Sequence, residues 1–306
     1  MPELPDLAYV ESVLRPALVG RRVTGARVGD PTVLRVMVTE PFPATLVGRT
    51  FTDVARRGHF MRFALTESGT LDDFVLIINA MLVGRYRLVP RAEAGAKKDP
   101  RALALALALD DGGELHYLDD KRMGKIYAAR AADEATIPIY GKLGLDLMSP
   151  AFTREAFGRA IARRRDQTRM FLMDKSALAS IGNAYADEIL FAARIHPKTF
   201  CNKLTPAETD ALYAAINDVL RHAIDEIARR REPIEVKVRD FLSVRGRDGK
   251  PCPRCGTTIR ALRVGDGDAC FCPNCQPTER KLFIDFGALP KPAAQPVMPA
   301  RRKKST

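Results

Sequence analysis

Four cysteines carry the plainest chemistry in the chain. Cys252 and Cys255, then Cys272 and Cys275 after a gap of sixteen residues, form two C-x2-C pairs. Each pair can chelate from a tight turn, and two pairs close a tetrahedron of thiolates around one Zn2+. Such a shell leaves no open position for water, so the metal is structural. Cys270 competes for a place, but Cys272 keeps the two-residue spacing, and Cys201 reads as a small apolar filler. Arg245, Arg247, Lys250, Arg254, Arg260 and Arg263 surround the pairs, a setting suited to phosphate. A protein–protein zinc ribbon is the other reading. The opposite end, Met1-Pro2-Glu3, offers different chemistry. Methionine before a small residue is normally removed, which exposes a secondary amine at Pro2. An α-amino group has a pKa near about 8, so part of it is a neutral nucleophile at physiological pH. Glu3, next to it, can give and take protons. Taken alone, a Pro-Glu start is only a terminus.

The elements that must position these groups are also legible. Leu7, Val10, Val13, Leu14 and Ala17 recur at helical spacing, which predicts a helix over 6–18 with Pro5 at its first position. Residues 20–130 read as short strands between polar turns. The run Ala102–Leu109 alternates alanine and leucine. Propensity favours a helix there, but the period of two and the following Asp110-Asp111-Gly112-Gly113 favour a strand in a hairpin with leucine on one face. After about residue 150 the pattern turns helical. Ala184–Ile195 forms one helix, entered through Ser180-Ile181-Gly182-Asn183 and ended by His196-Pro197. Thr205-Pro206-Ala207-Glu208 is a capping box that opens another, running to about Arg230. The expected fold is α+β and multidomain. A β-sandwich with flanking helices occupies 1–133, a helical domain 134–238, a zinc hairpin 239–284, and a disordered basic tail ending Arg301-Arg302-Lys303-Lys304 covers 285–306.

The formal charge is +12 and the pI about 9.6, which points to an anionic partner, nucleic acid before a membrane surface. No apolar run is long enough to span a bilayer, and no signal peptide precedes the first helix. A cytosolic compartment follows, and there six cysteines argue for metal rather than disulfides.

Several motifs in the same order resemble the formamidopyrimidine-DNA glycosylase and endonuclease VIII family. They are Met1-Pro2-Glu3-Leu4-Pro5, Asp119-Asp120-Lys121-Arg122-Met123-Gly124, Gly182-Asn183-Ala184-Tyr185-Ala186-Asp187-Glu188, Ile195-His196-Pro197 and the four-cysteine ribbon. The resemblance covers about residues 1–284 and implies a helix-two-turns-helix unit in the helical domain. It implies base-excision repair of damaged double-stranded DNA by a monomer with one zinc. Pro2 would attack the sugar C1′ and Glu3 would supply the acid. Arg122 and Met123 would fill the gap left by the extruded base, together with Met81 or Leu82. Lys121, Asn183, Arg260 and Arg263 would meet DNA, Asn183 from a helix N-terminus. Arg163, Arg164, Arg165 and Arg169 either track phosphates or form a solvated face.

Three departures stand out. The family carries a catalytic lysine where this chain has His59, which is shorter and mostly neutral at pH 7. His59 could shuttle protons, or be an ordinary exposed strand residue. The family's hairpin arginine, five residues before the third cysteine, is Gly267 here. The segment Arg231 to Arg245 is short, so the loop that covers oxidised guanine in one branch is missing. Two rival readings follow, a non-enzymatic DNA-damage binder on the same scaffold and a zinc-ribbon RNA-binding or assembly protein.

Overall fold

The computed structural model describes residues 1–67, 73–94, 102–265 and 267–278. The basic tail, the end of the zinc module and Asp266 lie outside the described residues.

Helix α1 spans Leu4–Leu18, two residues earlier than its apolar periodicity predicts. Glu3 is its cap, with extended backbone, and its N–H donates to the Asp6 carboxylate at 2.8 Å. Pro5 is therefore the second helical residue, still within the first turn where a missing N–H costs nothing. Among the described residues, nine strands follow: β1 (Val23–Val28), β2 (Leu34–Val36), β3 (Thr50–Arg57), β4 (Phe60–Thr66), β5 (Asp73–Asn79), β6 (Arg85–Val89), β7 (Leu103–Leu109), β8 (Glu114–Leu118) and β9 (Lys125–Arg130). They make two sheets, β1-β7-β8-β6 and β2-β9-β5-β4-β3, facing each other as a sandwich.

The alanine–leucine run is a strand, as its period predicts, but its leucines do not share one face. The pairing of β7 with β8 shifts register between Leu103 and Leu105. Leu105, Leu107 and Leu109 enter the sandwich core, while Leu103 packs with Ala106 and Leu118 on the other side.

The helical part contains β10 (Leu145–Asp146), α2 (Arg154–Ala162), α3 (Thr168–Met173), β11 (Leu178–Ala179), α4 (Asn183–Ala192) and α5 (Pro206–Arg230). The predicted capping box of α5 is present, with Thr205 and Glu208 bonded reciprocally at 3.2 and 2.7 Å. Helix α4 stops three residues short of the expected end. Arg194 takes a left-handed φ of 57°, and the Ile195 N–H closes the end on the Leu190 carbonyl. Phe157, Phe171, Tyr185, Ile189, Leu212 and Ile216 form this part's core, and Leu4 of α1 belongs to it as well. The remainder of the α1 stripe, Leu7, Val10, Leu14 and Leu18, lies in the sandwich core. One helix thus serves both cores, and it does so at the residues that adjoin Pro2 and Glu3.

Strands β12 (Arg260–Val264) and β13 (Gly267–Phe271) form the C-terminal hairpin. It docks on α4. Val244, Ile259, Cys252, Cys270 and Cys272 pack around Phe191, and the Arg254 guanidinium lies 4.2 Å from that ring's centre. The Glu188 carboxylate accepts from the N–H groups of Ser243, Val244 and Arg245 at 2.8–2.9 Å. The segment between α5 and the hairpin reaches back to the sandwich through Arg87–Glu235 and Arg239–Asp6 pairs. Among the described residues, no helix is long and apolar enough to cross a membrane.

Candidate functional site

Glu3 is the best-determined member of the site. Its side chain is 6% exposed and points into the N-terminus of α4. There it accepts hydrogen bonds from the N–H groups of Gly182 (3.0 Å), Ala184 (3.0 Å) and Tyr185 (3.2 Å). A helix N-terminus leaves such donors unpaired, and a carboxylate suits them. Residue 182 must be glycine, because a Cβ there would lie 2.5 Å from the Glu3 carboxyl carbon. Burial raises the Glu3 pKa, opposed by the Ala184 and Tyr185 N–H groups and by Arg239. The Arg239 guanidinium is itself held by Asp6 and donates to the Tyr185 hydroxyl at 3.2 Å. So the α4 terminus, expected from sequence to face phosphate, is filled by Glu3.

Pro2 is buried and lines a pocket with Asp6, Tyr9, Arg85, Glu235 and Lys237. The Met1 amine has a lowered pKa, from burial first and then from Lys237. Lys237 also donates to the Leu82 carbonyl at 3.2 Å, tying the segment after α5 to the loop after β5.

Two loops carry the expected gap-filling residues. Met81 and Arg122 both have left-handed backbone, with φ of 45° and 55°. Neither is glycine, so both conformations are strained, a condition that collects at functional sites. Each loop is built by one side chain. Asn79 accepts from the Met81 N–H at 3.0 Å, and Asp119 accepts from the N–H groups of Lys121 and Gly124 at 3.1 and 2.6 Å. The two loops meet at Tyr117, whose hydroxyl lies 2.3 Å from where a Cβ on Gly84 would sit and 2.1 Å from one on Gly124. Met81 is half-buried, while Leu82, Lys121, Arg122 and Met123 are exposed. Arg122 pairs with Asp30 at 2.7 Å.

His59 is not an exposed strand residue. It follows Gly58 at the tip of the β3–β4 hairpin, and only 2% of it is accessible. Neither ring nitrogen has a hydrogen-bond partner. Burial, helped by the nearby Lys175 cation, lowers its pKa to about 3, so it is neutral at any working pH. A charged grip on phosphate is closed to it. The hairpin is pinned to the helical part by Arg56, whose guanidinium binds Asp146 at 3.0 and 2.7 Å.

At the hairpin end, the four cysteine sulfurs lie within 4.8 Å of one another, with close pairs at 3.5–3.9 Å. A tetrahedral Zn2+ with Zn–S of about 2.3 Å requires sulfurs roughly 3.8 Å apart, so the set fits one structural zinc. Cys270 stands outside it, buried, its N–H on Asp187 at 3.0 Å, and Cys201 fills the helical core. Arg260 and Arg263 are exposed on β12.

Arg169 is neither on a solvated face nor free to track phosphates. It is fully buried and donates to Asp187 (2.8 Å), Asn183 (2.8 Å) and the Asp268 carbonyl (3.0 Å). Its bond to the Asn183 Oδ1 turns the Asn183 amide nitrogen outward as a donor. A Cβ on Gly267 would lie 3.2 Å from that Oδ1, so Gly267 sits directly over Asn183. Arg164 pairs with Asp166 and Asp174. Only Arg163 and Arg165 of the basic run are exposed. Sequence reasoning missed Lys175, Asp187 and Arg239 as site-builders, since their partners are remote in the chain.

Three family profiles match the chain. They are the formamidopyrimidine-DNA glycosylase N-terminal domain over residues 1–126, the H2TH domain of the same glycosylase over 143–231, and the zinc finger found in FPG and IleRS over 249–278. The formamidopyrimidine-DNA glycosylase of Symbiobacterium thermophilum is 35% identical over 291 residues, covering 93% of this chain and 92% of that protein. That of Thermus thermophilus is 32% identical over 284 residues, covering 90% and 98%. In structure, the chain is similar to Lactococcus lactis Fpg in complex with DNA containing an abasic site. The TM-score is 0.80 at 25% identity, with 90% of this chain and all of that one covered. The solved MutM (Fpg) protein of Thermus thermophilus gives a TM-score of 0.75 at 31% identity, covering 90% and 98%. The three profiles fall in chain order on the sandwich, the helical part and the four-cysteine finger, and the chain belongs to the formamidopyrimidine-DNA glycosylase family.

Proposed function

We propose that the protein is a bifunctional DNA glycosylase and abasic-site lyase of base-excision repair, acting as a monomer on damaged duplex DNA in the cytosol. The observation that carries this reading is the seat of Glu3, a buried carboxyl fixed by three backbone donors beside Pro2. Once Met1 is removed, the Pro2 nitrogen is a secondary amine. It forms a bond to C1′ of the damaged nucleoside while the C1′–base bond breaks and the base leaves with its electron pair and a proton. Glu3 delivers a proton to the sugar ring oxygen as the ring opens to an iminium. Loss of a C2′ proton then drives out the 3′ phosphate by elimination. Met81, Arg122 and Met123 fill the vacated stack, and Lys121, Asn183, Arg260 and Arg263 hold phosphate. His59, buried and held neutral, carries neither charge nor proton in this scheme. The zinc holds the hairpin that carries Arg260 and Arg263.

Borohydride reduction on abasic duplex DNA tests this. A covalent protein–DNA adduct that is lost when Met1 is retained, and lost in Glu3→Gln after base-bearing substrates, is the expected result. Tight binding without any adduct would instead support a damage-binding protein, a reading motivated by the neutral His59 and by Gly267.

A further inference from the structure

Among the described residues, Lys175 is a half-buried lysine without a counter-ion. It follows α3, and among the described residues its ammonium has one polar neighbour, the Met1 Sδ at 4.0 Å. The carboxylates near it are engaged elsewhere. Asp174 is held by Ser176 and Arg164, and Asp146 by Arg56. Burial lowers the Lys175 pKa, the expected effect on a cation with nothing to compensate it. A cation partly withdrawn from water gains from an anionic partner that reaches it.

Its location says what arrives. Lys175 reaches the N-terminus from the helical part, while His59 reaches the same place from the β3–β4 hairpin. The Met1 side chain lies against the Lys175 ammonium. Removal of Met1 frees the Pro2 nitrogen and, in the same event, takes away the one polar neighbour that the described residues give the Lys175 ammonium. The cleared space is where a sugar must come to meet Pro2, and every sugar of a strand is flanked by phosphodiesters. A phosphodiester oxygen is the acceptor that an unpaired ammonium lacks, and His59 cannot be its donor as a cation.

We propose that Lys175 binds a phosphodiester of the damaged strand beside the N-terminal amine, supplying from the helical part the cation that the β3–β4 hairpin does not. This rests on the proposed action on damaged DNA, but the contact itself needs no chemistry to be measured.

The experiment uses the full chain with Met1 removed and one duplex carrying either a tetrahydrofuran abasic analogue or a natural abasic site. Binding across a salt series gives the slope of log Kd against log salt. Lys175→Met reduces that slope by about one, while Lys175→Arg and His59→Gln keep it. Under enzyme excess on the natural abasic site, borohydride trapping by Lys175→Met is slower by about 10-fold or more, and Lys175→Arg recovers most of it. Lys175→Gln provides a second measurement should the methionine variant fail to fold. Its loss of affinity and the loss on neutralising one damaged-strand linkage as a methylphosphonate do not add, because both remove one contact. An unchanged slope in a variant that melts with the wild type, or full additivity at every linkage, overturns the proposal. A wild type that traps DNA but shows no Lys175 effect sinks this inference alone. A wild type that never traps, yet loses slope in Lys175→Met, sinks the lyase reading and leaves the phosphate contact standing.

Discussion

His59 illustrates how burial, rather than residue type, decides chemistry. In the fold its pKa is about 3, against 6.5 in an open chain. The unfolded chain therefore binds a proton below pH 6.5 that the folded chain refuses. Stability from this group is full above that pH and is lost as pH falls toward 3, at about 1.4 kcal/mol per unit. Denaturant titrations at pH 7 and pH 5 should show the gap between wild type and His59→Gln narrowing by about 2 kcal/mol at the lower pH. A constant gap would mean that His59 takes up its proton in the fold as readily as in the open chain. The four cysteines were legible because metal geometry is written in local spacing. Pro2 and Glu3 drew notice only beside the other motifs, and the seat of Glu3 on the Gly182, Ala184 and Tyr185 N–H groups was not legible in sequence. Lys175 and Arg239 were not legible at all: what gives them meaning is Met1, 174 residues away, and Asp6, 233 residues away.

Elements show the same division. The start of α5 was readable because a capping box is a four-residue device, and both of its bonds form. The leucines of β7 were misassigned because a register shift depends on the partner strand, which a period of two does not reveal. At α4 the sequence marked a helix N-terminus but could not say what occupies it. The far side of α4 carries a second joint. Asp187 is fully buried between Arg169 and Arg245, at 2.8 and 2.9 Å. Replacing Arg169 with methionine removes its principal partner and should cost about 3–5 kcal/mol, read as a lower denaturant midpoint at unchanged slope. It should also release the Asn183 amide and weaken DNA binding at matched stability. A loss under about 1 kcal/mol would show that Arg245 alone satisfies Asp187.

At the scale of the molecule, the hairpin is the part whose fold depends on an ion. Its own apolar cluster is small, and three of the six buried members are cysteines. Removing zinc with a strong chelator should melt the hairpin and lower DNA affinity by about 10-fold or more. The sandwich and helical cores should keep their hydrogen-exchange protection, since neither draws residues from β12, β13 or the four-cysteine turns. Loss of protection throughout would mean that the hairpin is part of one cooperative unit. Net charge points to a polyanion, but not to the surface that would meet it. The arginines that line joints and those that face outward are alike in sequence: Arg169 is fully buried and Arg165 is exposed.

The seat of Glu3 has a consequence for when the protein can act. Helix α1 brings the carboxyl and the start of α4 brings the three donors, while Leu4 beside Glu3 packs in the helical core and donates its N–H to the Ser180 carbonyl at 3.3 Å. With Glu3 as the proposed acid, its working position depends on that joint staying closed, so a substitution that loosens the joint should cost activity even where neither Pro2 nor Glu3 is touched.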